Sequence, residues 1–257
     1  MARIVLGIGS SHAPQTGMPP ELWWKRGEWD QTHADLWYQG RSLTFAQLRD
    51  ERAGAHFERE LGADTMKTRF DACQTAIGSL SATLTRLAPD VAIIVGDDQH
   101  EAFLEDNMPA FSIFYGESAD TVPPAPGWHS EAGTNTAWGR FPEQLTTNPC
   151  VPDLGLHLIE SLILEGFDPG CCSRMPAGRA GDHGLGHAFS YVYRRLMNDE
   201  AVPNVPVFVN TYYPPNQPTI ARSYQIGRAL RRAVESWDSD KTVAIIASGG
   251  LSHFAIE

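Results

Sequence analysis

Three histidines each follow an apolar, glycine-ended stretch of the sequence, and they lie far apart along the chain. His12 follows the first such stretch, His100 the second, and His253 the third, within the pattern Gly-Gly-Leu-Ser-His. Apolar runs that break at glycine are typical of buried strands in a parallel sheet, and ligands of such sheets bind beyond the carboxyl ends of the strands. We therefore expect these histidines to meet at one edge of a sheet, which is how a chain builds a metal site.

His12 and His100 are the two expected metal ligands, because each closely follows a strand and has acids or hydroxyls beside it. Two neutral imidazoles, one carboxylate and open positions form the facial triad of non-haem iron(II). The same ligands can hold zinc with one open position. Spacing alone does not choose among the carboxylates that could complete the set, which are Asp97, Asp98, Glu101 and Glu257.

His253 and His183 lie in glycine-rich loops and are better candidates for a general base or a hydrogen-bonding group than for a ligand. An unperturbed imidazole titrates at about pH 6.5, so it can pass a proton near neutral pH. No supporting pattern surrounds four other histidines, for which we expect structural or solvent-facing roles: His33, His56, His129 and His157.

The elements that must position these groups form an α/β pattern. Apolar runs and three-four spacing predict strands over residues 2–9, 91–96, 111–115, 205–210 and 242–248, and helices over 66–88, 154–167, 187–197 and from Pro218 onward. The sequence thus predicts a single α/β domain over residues 1–257. Its central, mostly parallel sheet would be flanked by helices, with the active site at the C-terminal ends of the strands.

Two segments depart from this pattern. Residues 14–62 show no clean helical or alternating period and are interpreted as an insertion that wraps the domain. Their tryptophans are expected either to anchor the segment on the core or to line an aromatic pocket. Residues 116–152 are rich in Pro, Gly, Thr and Asn, and we expect a long excursion with little regular structure there.

Composition excludes several classes of protein. The chain of 257 residues has a formal net charge of −11, which argues against nucleic acid and an anionic membrane surface as partners. No apolar run approaches the roughly 18 residues of a membrane span, and no signal-peptide pattern opens the sequence. The four cysteines show no C-x-x-C spacing, so we expect reduced thiols in a cytoplasmic protein. A symmetric homo-oligomer is the common default.

Four motifs in this order along the chain resemble those of the type III extradiol ring-cleavage dioxygenases, the superfamily of the protocatechuate 4,5-dioxygenase beta subunit. They are Ser-Ser-His-Ala-Pro at 10–14, Gly-Asp-Asp-Gln-His-Glu at 96–101, Asp-His-Gly at 182–184 and Gly-Gly-Leu-Ser-His at 249–253. The four together are specific, although each alone would be weak. Residues 19–45 are similar to the branch that includes the 3-O-methylgallate 3,4-dioxygenases.

The resemblance implies a mononuclear Fe(II) held by His12, His100 and a glutamate downstream of the last motif. It implies that His253 is the acid/base residue and that His183 helps to position the substrate or the bound oxygen. The substrates would be O2 and a small aromatic diol, such as protocatechuate, gallate or 3-O-methylgallate, with a small lid subunit as a further partner. Family members continue well past this motif, whereas this chain stops at Glu257. The third ligand is therefore expected to be Glu257 or a carboxylate beyond the end of this chain.

Other functions remain open from the residues. A zinc-dependent enzyme and a non-catalytic, Memo-like binding protein would use the same scaffold. A nucleotide-binding fold is disfavoured, because the sequence after Gly9 does not complete a G-x-G-x-x-G phosphate loop. Arg179 and Arg222 are candidates for pairing with a substrate carboxylate.

Overall fold

A central six-stranded sheet organises the computed structural model, which describes residues 1–33, 35–124, 135–211 and 213–250. The strands are β1 Arg3–Ser10, β2 Leu36–Tyr38, β3 Arg41–Leu43, β4 Val91–Asp97, β5 Phe111–Phe114, β6 Ser118–Thr121, β7 Thr146–Pro149, β8 Gly170–Cys172, β9 Asn204–Val209 and β10 Thr242–Ser248. In the central sheet the order is β1-β10-β4-β9-β5-β8, while β2 pairs with β3 and β6 with β7.

The four strands β1, β10, β4 and β9 run parallel to one another, and β5 runs antiparallel to β9. This confirms the predicted mostly parallel sheet. Because the four strands share a direction, their carboxyl ends lie at one edge of the sheet. That edge carries the residues that follow β1 and β4, which include His12 and His100.

Helices cover both faces of the sheet. They are α1 Trp23–Asp30, α2 Phe45–Glu51, α3 Ala63–Leu87, α4 Pro152–Leu164, α5 His187–Tyr191 and α6 Ile220–Ser236. On one face, Ile94 packs in a core with residues of α3 and α5. On the other face, Ile93 packs with residues of α4 and α6. Both isoleucines are fully buried, and this explains why the strand sequence is apolar at every position rather than alternating.

Several local expectations need correction. The expected helix over 187–197 is α-helical only in α5, and a π-helical turn continues it over Val192–Leu196. The short strand β8 was not predicted. The stretch 116–152 contains the hairpin β6–β7, where the buried Asn148 side chain donates to the carbonyl of Ala119. Because a polar residue stabilises this hairpin, no apolar pattern in the sequence predicts it.

The segment 14–62 folds into α1, the β2–β3 hairpin and α2, together with short 3-10 turns. Trp24, Trp29 and Trp37 are each more than two-fifths exposed, so they do not anchor the segment on the core. Met18 and Leu36 are instead the fully buried apolar side chains of this segment.

Among the described residues, no helix combines the length and the apolar character that crossing a membrane requires.

Candidate active site

His12 lies just beyond the carboxyl end of β1, beside the ends of two neighbouring strands. Its Nδ1 is 3.0 Å from Ser248 Oγ on β10, and its Nε2 is 3.4 Å from Asp97 Oδ1 on β4. All three residues are buried. The sheet register pairs Ser10 with Ser248 and Ser248 with Gly96, so the sheet itself brings the three groups together.

A second buried histidine, His187, packs against His12. The two rings meet edge to face, with centroids 4.6 Å apart and planes at 80°. His187 is the first residue of α5, and this helix packs closely on β4, since a Cβ on Gly96 would lie 3.1 Å from the Phe189 ring. His187 thus reaches the strand edge because its helix begins there.

Glu101 fixes the position of His187. The Nδ1 of His187 lies 2.8 Å from Glu101 Oε2, and the backbone N–H of His187 donates to both carboxylate oxygens, with N···O distances of 3.1 and 3.3 Å. Burial raises the pKa of Glu101, but His187 and its hydrogen bonds more than offset this, and the pKa lies below its ordinary value. Glu101 is therefore an ionised acceptor, and Nδ1 of His187 is the donor.

His100 lies on the turn that follows β4, and it contacts a different set of side chains. Its ring stacks on Tyr213 with centroids 3.5 Å apart and planes at 11°, and its Nδ1 is 3.5 Å from Glu105 Oε1. The His100 backbone is left-handed, with a φ of 57°, a conformation that is uncommon outside glycine. The turn therefore needs support from neighbouring residues.

Asp98 supplies this support. Its Oδ1 accepts from the Ala102 N–H at 2.9 Å, and its Oδ2 accepts from the Phe103 N–H at 3.1 Å. Burial raises the pKa of Asp98 to about 6, although these hydrogen bonds act in the opposite direction. Asp98 is thus committed to holding the turn of His100 and Glu101, whereas Asp97 faces His12.

His183 lies on an exposed turn, with a left-handed φ of 59°. Its Nδ1 is 2.9 Å from the carbonyl oxygen of Met175. Because a carbonyl only accepts, Nδ1 is the donor, and Nε2 is left for another partner. The Asp182 carboxylate accepts from the Gly184 N–H at 2.9 Å and closes the turn.

A cleft of about 450 Å³ opens at the strand edge. It is lined by the ends of β1, β4, β9 and β10, including Ser10, Asp97, Ser248 and Gly249. This volume falls within the range of about 300–1,000 Å³ that is usual for small-molecule sites.

Neither of the two candidate arginines lines the cleft. Arg222 stacks on Phe167 with its guanidinium carbon 4.0 Å from the ring centroid, near the end of α4 and away from the cleft. Arg179 is exposed, and its backbone N–H donates to the Glu101 carbonyl at 2.8 Å. Arg140, which the sequence did not single out, also lies near the site. Burial lowers the pKa of Arg140 below its ordinary value, although the charges of Glu101 and Asp97 act in the opposite direction.

Two predicted site residues, the acid/base candidate His253 and the ligand candidate Glu257, lie outside the described residues. Within the described ranges, no group of three His, Cys, Asp or Glu side chains is arranged to hold a metal ion. The structure brings His12 and Asp97 together, and it places His100 against Tyr213. The metal-ligand roles of His12, His100 and Glu257 and the catalytic roles of His253 and His183 stay predictions.

Sequence reasoning missed His187. The signal available was the Gly-Leu-Gly-His pattern at 184–187, in which glycines precede a histidine at a helix start. The histidines expected to be structural behave so where they are described. For example, His157 Nε2 lies 2.8 Å from the Ala233 carbonyl and links α4 to α6.

Comparison with known proteins identifies the family of this chain. The family model for the catalytic LigB subunit of aromatic ring-opening dioxygenases matches residues 63–257. The chain belongs to this family. The predicted resemblance to the extradiol superfamily is thereby confirmed.

Individual relatives of the LigB-family chain are dioxygenases by name. Gallate dioxygenase of Pseudomonas putida is 40% identical over 102 residues, which are 39% of this chain and 28% of that protein. The 2,3-dihydroxyphenylpropionate/2,3-dihydroxicinnamic acid 1,2-dioxygenase of Rhodococcus jostii is 27% identical over 190 residues, 74% of this chain and 52% of that protein. The enzyme of the same name from Paraburkholderia xenovorans is 30% identical over 166 residues, which are 64% of this chain and 43% of that protein. The chain thus spans about half, or less, of the length of these curated relatives.

Proposed function

We propose that the protein is a non-haem Fe(II)-dependent extradiol dioxygenase, which opens the ring of a small catecholic substrate with O2. The observation that carries this proposal is the cluster of His12, Ser248 and Asp97 at the shared strand edge, in a chain whose residues 63–257 match the LigB family. The relatives' names point to gallate-like and 2,3-dihydroxyphenylpropionate-like diols as the substrate class.

The donor chemistry fits iron. His12 has one ring nitrogen against Ser248 and the other against a carboxylate, and imidazole and carboxylate are the ligands of non-haem Fe(II) sites. The proposed ligand set is His12, His100 and Glu257, the last of which lies outside the described residues. When bound, Fe(II) would supply the redox chemistry between the diol ring and O2.

The protein would orient the substrate, exclude water from the site and transfer protons. The cleft at the strand ends would take the diol, with Asp97 and Ser248 on its wall. His253 would remove a proton from a substrate hydroxyl and return it later in the reaction. His183, whose Nδ1 is fixed by the Met175 carbonyl, would present Nε2 to the substrate. The partly buried Arg140 near Asp97 and Glu101 is a better-placed partner for a substrate carboxylate than Arg222.

Oxygen uptake tests the proposal. The chain would be reconstituted anaerobically with Fe(II) and mixed with gallate, protocatechuate, 3-O-methylgallate and 2,3-dihydroxyphenylpropionate, while absorbance is followed in parallel. We expect uptake of one O2 for each diol and a yellow ring-opened product. His12→Gln should lower the rate by about a hundredfold or more, because even residues behind a metal ligand are commonly worth about 10- to 100-fold.

His56→Gln is the matched control, because His56 is exposed and its side chain contacts only the exposed Glu58 among the interactions described for it. This variant should keep the wild-type rate. Zinc-loaded protein should take up no O2, because zinc does not change its oxidation state. Bound iron without O2 uptake on any of these diols would contradict the proposed activity, and equal uptake with zinc would contradict the role of iron.

A further inference from the structure

We propose that His187 is a ligand of the metal centre together with His12, and that Glu101 is the carboxylate that orients it. This inference rests on the proposed function, because it assumes a divalent metal at the strand edge. The observation behind it is the edge-to-face contact of two buried imidazoles, one of which has a buried ring nitrogen, Nε2 of His187, without a hydrogen-bond partner among the described residues.

The hydrogen bonding of His187 matches that of a metal-binding histidine. Such a histidine usually donates one ring N–H to a carboxylate or another acceptor, which fixes the tautomer and makes the other nitrogen more basic. Glu101 Oε2 accepts from Nδ1 at 2.8 Å, so the lone pair of His187 is on Nε2. That atom is fully buried, and leaving a buried polar atom unpaired is energetically unfavourable. A metal ion would remove this cost.

Two glycines make room for Glu101. A Cβ on Gly186, the residue before His187, would collide with the Glu101 carboxylate. A Cβ on Gly178 would collide with the Glu101 carbonyl oxygen, and the φ of Gly178 is 64°. The backbone is thus fitted closely around Glu101, with Gly186 against its carboxylate and Gly178 against its carbonyl oxygen.

The ring geometry suits a shared ion. Two imidazoles bound through bonds of about 2.1 Å at roughly a right angle have ring centroids about 4.6 Å apart, and the observed separation of His12 and His187 is 4.6 Å. The Nδ1 atoms of both rings are occupied, by Ser248 and by Glu101. Nε2 is thus the nitrogen that His187 has left for coordination, and Nε2 of His12 is the nitrogen that faces Asp97.

The local charge favours a cation. Asp97 and Glu101 bring two carboxylates to the imidazole pair, and the nearby Arg140 offsets only part of this charge. The pair would supply two ligands of a larger set, because no third described His, Cys, Asp or Glu completes a cluster with it.

Cobalt binding tests the inference without relying on activity. Co(II) would be titrated anaerobically into the wild type, His12→Gln, His187→Gln and Glu101→Gln, with the affinity measured by calorimetry and the ligand field by visible absorption. We expect His187→Gln to weaken Co(II) binding by at least 10-fold and to change the absorption bands. Glu101→Gln should weaken binding by about 10- to 100-fold.

His157→Gln is the matched control, because His157 is also a partly buried histidine that contacts a carbonyl, but between α4 and α6. It should leave the affinity and the spectrum unchanged. A folded His187→Gln variant with wild-type affinity and spectrum, while His12→Gln loses both, would overturn the role of His187 and leave the proposed function standing. A wild-type chain that binds no Co(II) or Fe(II) would overturn both.

A second measurement covers the case in which His187→Gln does not fold. Nitrogen NMR of histidine-labelled wild-type protein, titrated with Zn(II), reports each imidazole nitrogen separately. We expect the Nε2 signals of His12 and His187 to shift together as the metal binds. A shift of His12 with an unchanged His187 signal would contradict the inference.

Discussion

The turn that carries His100 and Glu101 depends on one buried carboxylate. Asp98 accepts two backbone N–H groups and allows His100 to keep its left-handed backbone. The same turn sends His100 towards Tyr213 and Glu101 towards His187. One side chain thus sets the direction of two candidate functional residues.

Asp98→Ala should therefore destabilise the protein. It leaves the N–H groups of Ala102 and Phe103 without their acceptor, and the expected cost is about 1–3 kcal/mol in the free energy of unfolding, measured by urea denaturation. Asp106→Ala, at an exposed position of the same loop, should change stability by less than about 0.5 kcal/mol. Equal stability of the two variants would mean that Asp98 does not hold the turn.

The four cysteines should differ in reactivity. Burial raises the pKa of Cys150 to about 12 and, with the neighbouring Cys171, raises the pKa of Cys172 to about 11. Few thiolates therefore form at these two positions at pH 8. Iodoacetamide should label the exposed Cys73 and Cys171 first. Labelling of Cys150 and Cys172 should grow with pH, which peptide mass spectrometry would follow; early labelling of Cys150 would contradict its burial.

At the level of elements, α4 lies so close to β5 that its first turn needs a glycine. A Cβ on Gly155 would lie 2.9 Å from the Phe114 carbonyl oxygen and 3.0 Å from the Tyr115 Cα. These are backbone atoms, which cannot move aside as the end of a side chain can. The contact explains why a residue with poor helix propensity is found inside a helix.

Gly155→Ala should destabilise the protein by about 1–3 kcal/mol, because the added methyl group overpacks the contact. Gly227→Ala in α6 is its matched control, since no atom lies within 4 Å of the added Cβ. That variant should gain about 0.5–1 kcal/mol from helix propensity alone. Thermal unfolding of both variants would measure these changes in stability. If Gly155→Ala stabilised the protein, α4 would be free to shift away from β5.

Five strands of the central sheet, β1, β4, β5, β9 and β10, could be predicted from the sequence, because a buried strand leaves a continuous apolar run and a break. The run 242–248 is an example, and it became β10. The antiparallel direction of β5 could not be predicted, because apolar content does not encode direction. Strand β8, with only three residues over Gly170–Cys172, is too short to leave a period.

His187 shows why the site was predicted only in part. Its neighbours in sequence are those of a helix start, and its acid partner Glu101 is 86 residues away. Nothing local distinguishes it from a histidine that satisfies a core hydrogen bond. Pairings of this kind become visible only when the sheet and α5 are assembled.

For the molecule as a whole, metal binding should stabilise the fold, because the proposed ligands come from distant parts of the chain. An ion present at a hundredfold excess over its Kd adds about 2.7 kcal/mol, which corresponds to a rise in Tm of roughly 5–10 °C for a chain of this size. Calorimetry with and without Fe(II) under anaerobic conditions measures this rise. A chelator should reverse it, and His12→Gln should show none; an equal rise in that variant would place the ion elsewhere.

The place of β10 in the sheet has a consequence for synthesis on the ribosome. β10 lies between β1 and β4, so β1 has no partner in the described sheet until residues 242–248 have left the exit tunnel. The hydrogen bond between His12 and Ser248 joins residues separated by 236 positions, and such distant pairings form slowly. During translation β1 therefore remains an unpaired apolar strand, and the strand edge that carries His12 forms only after residues 242–248 have been made.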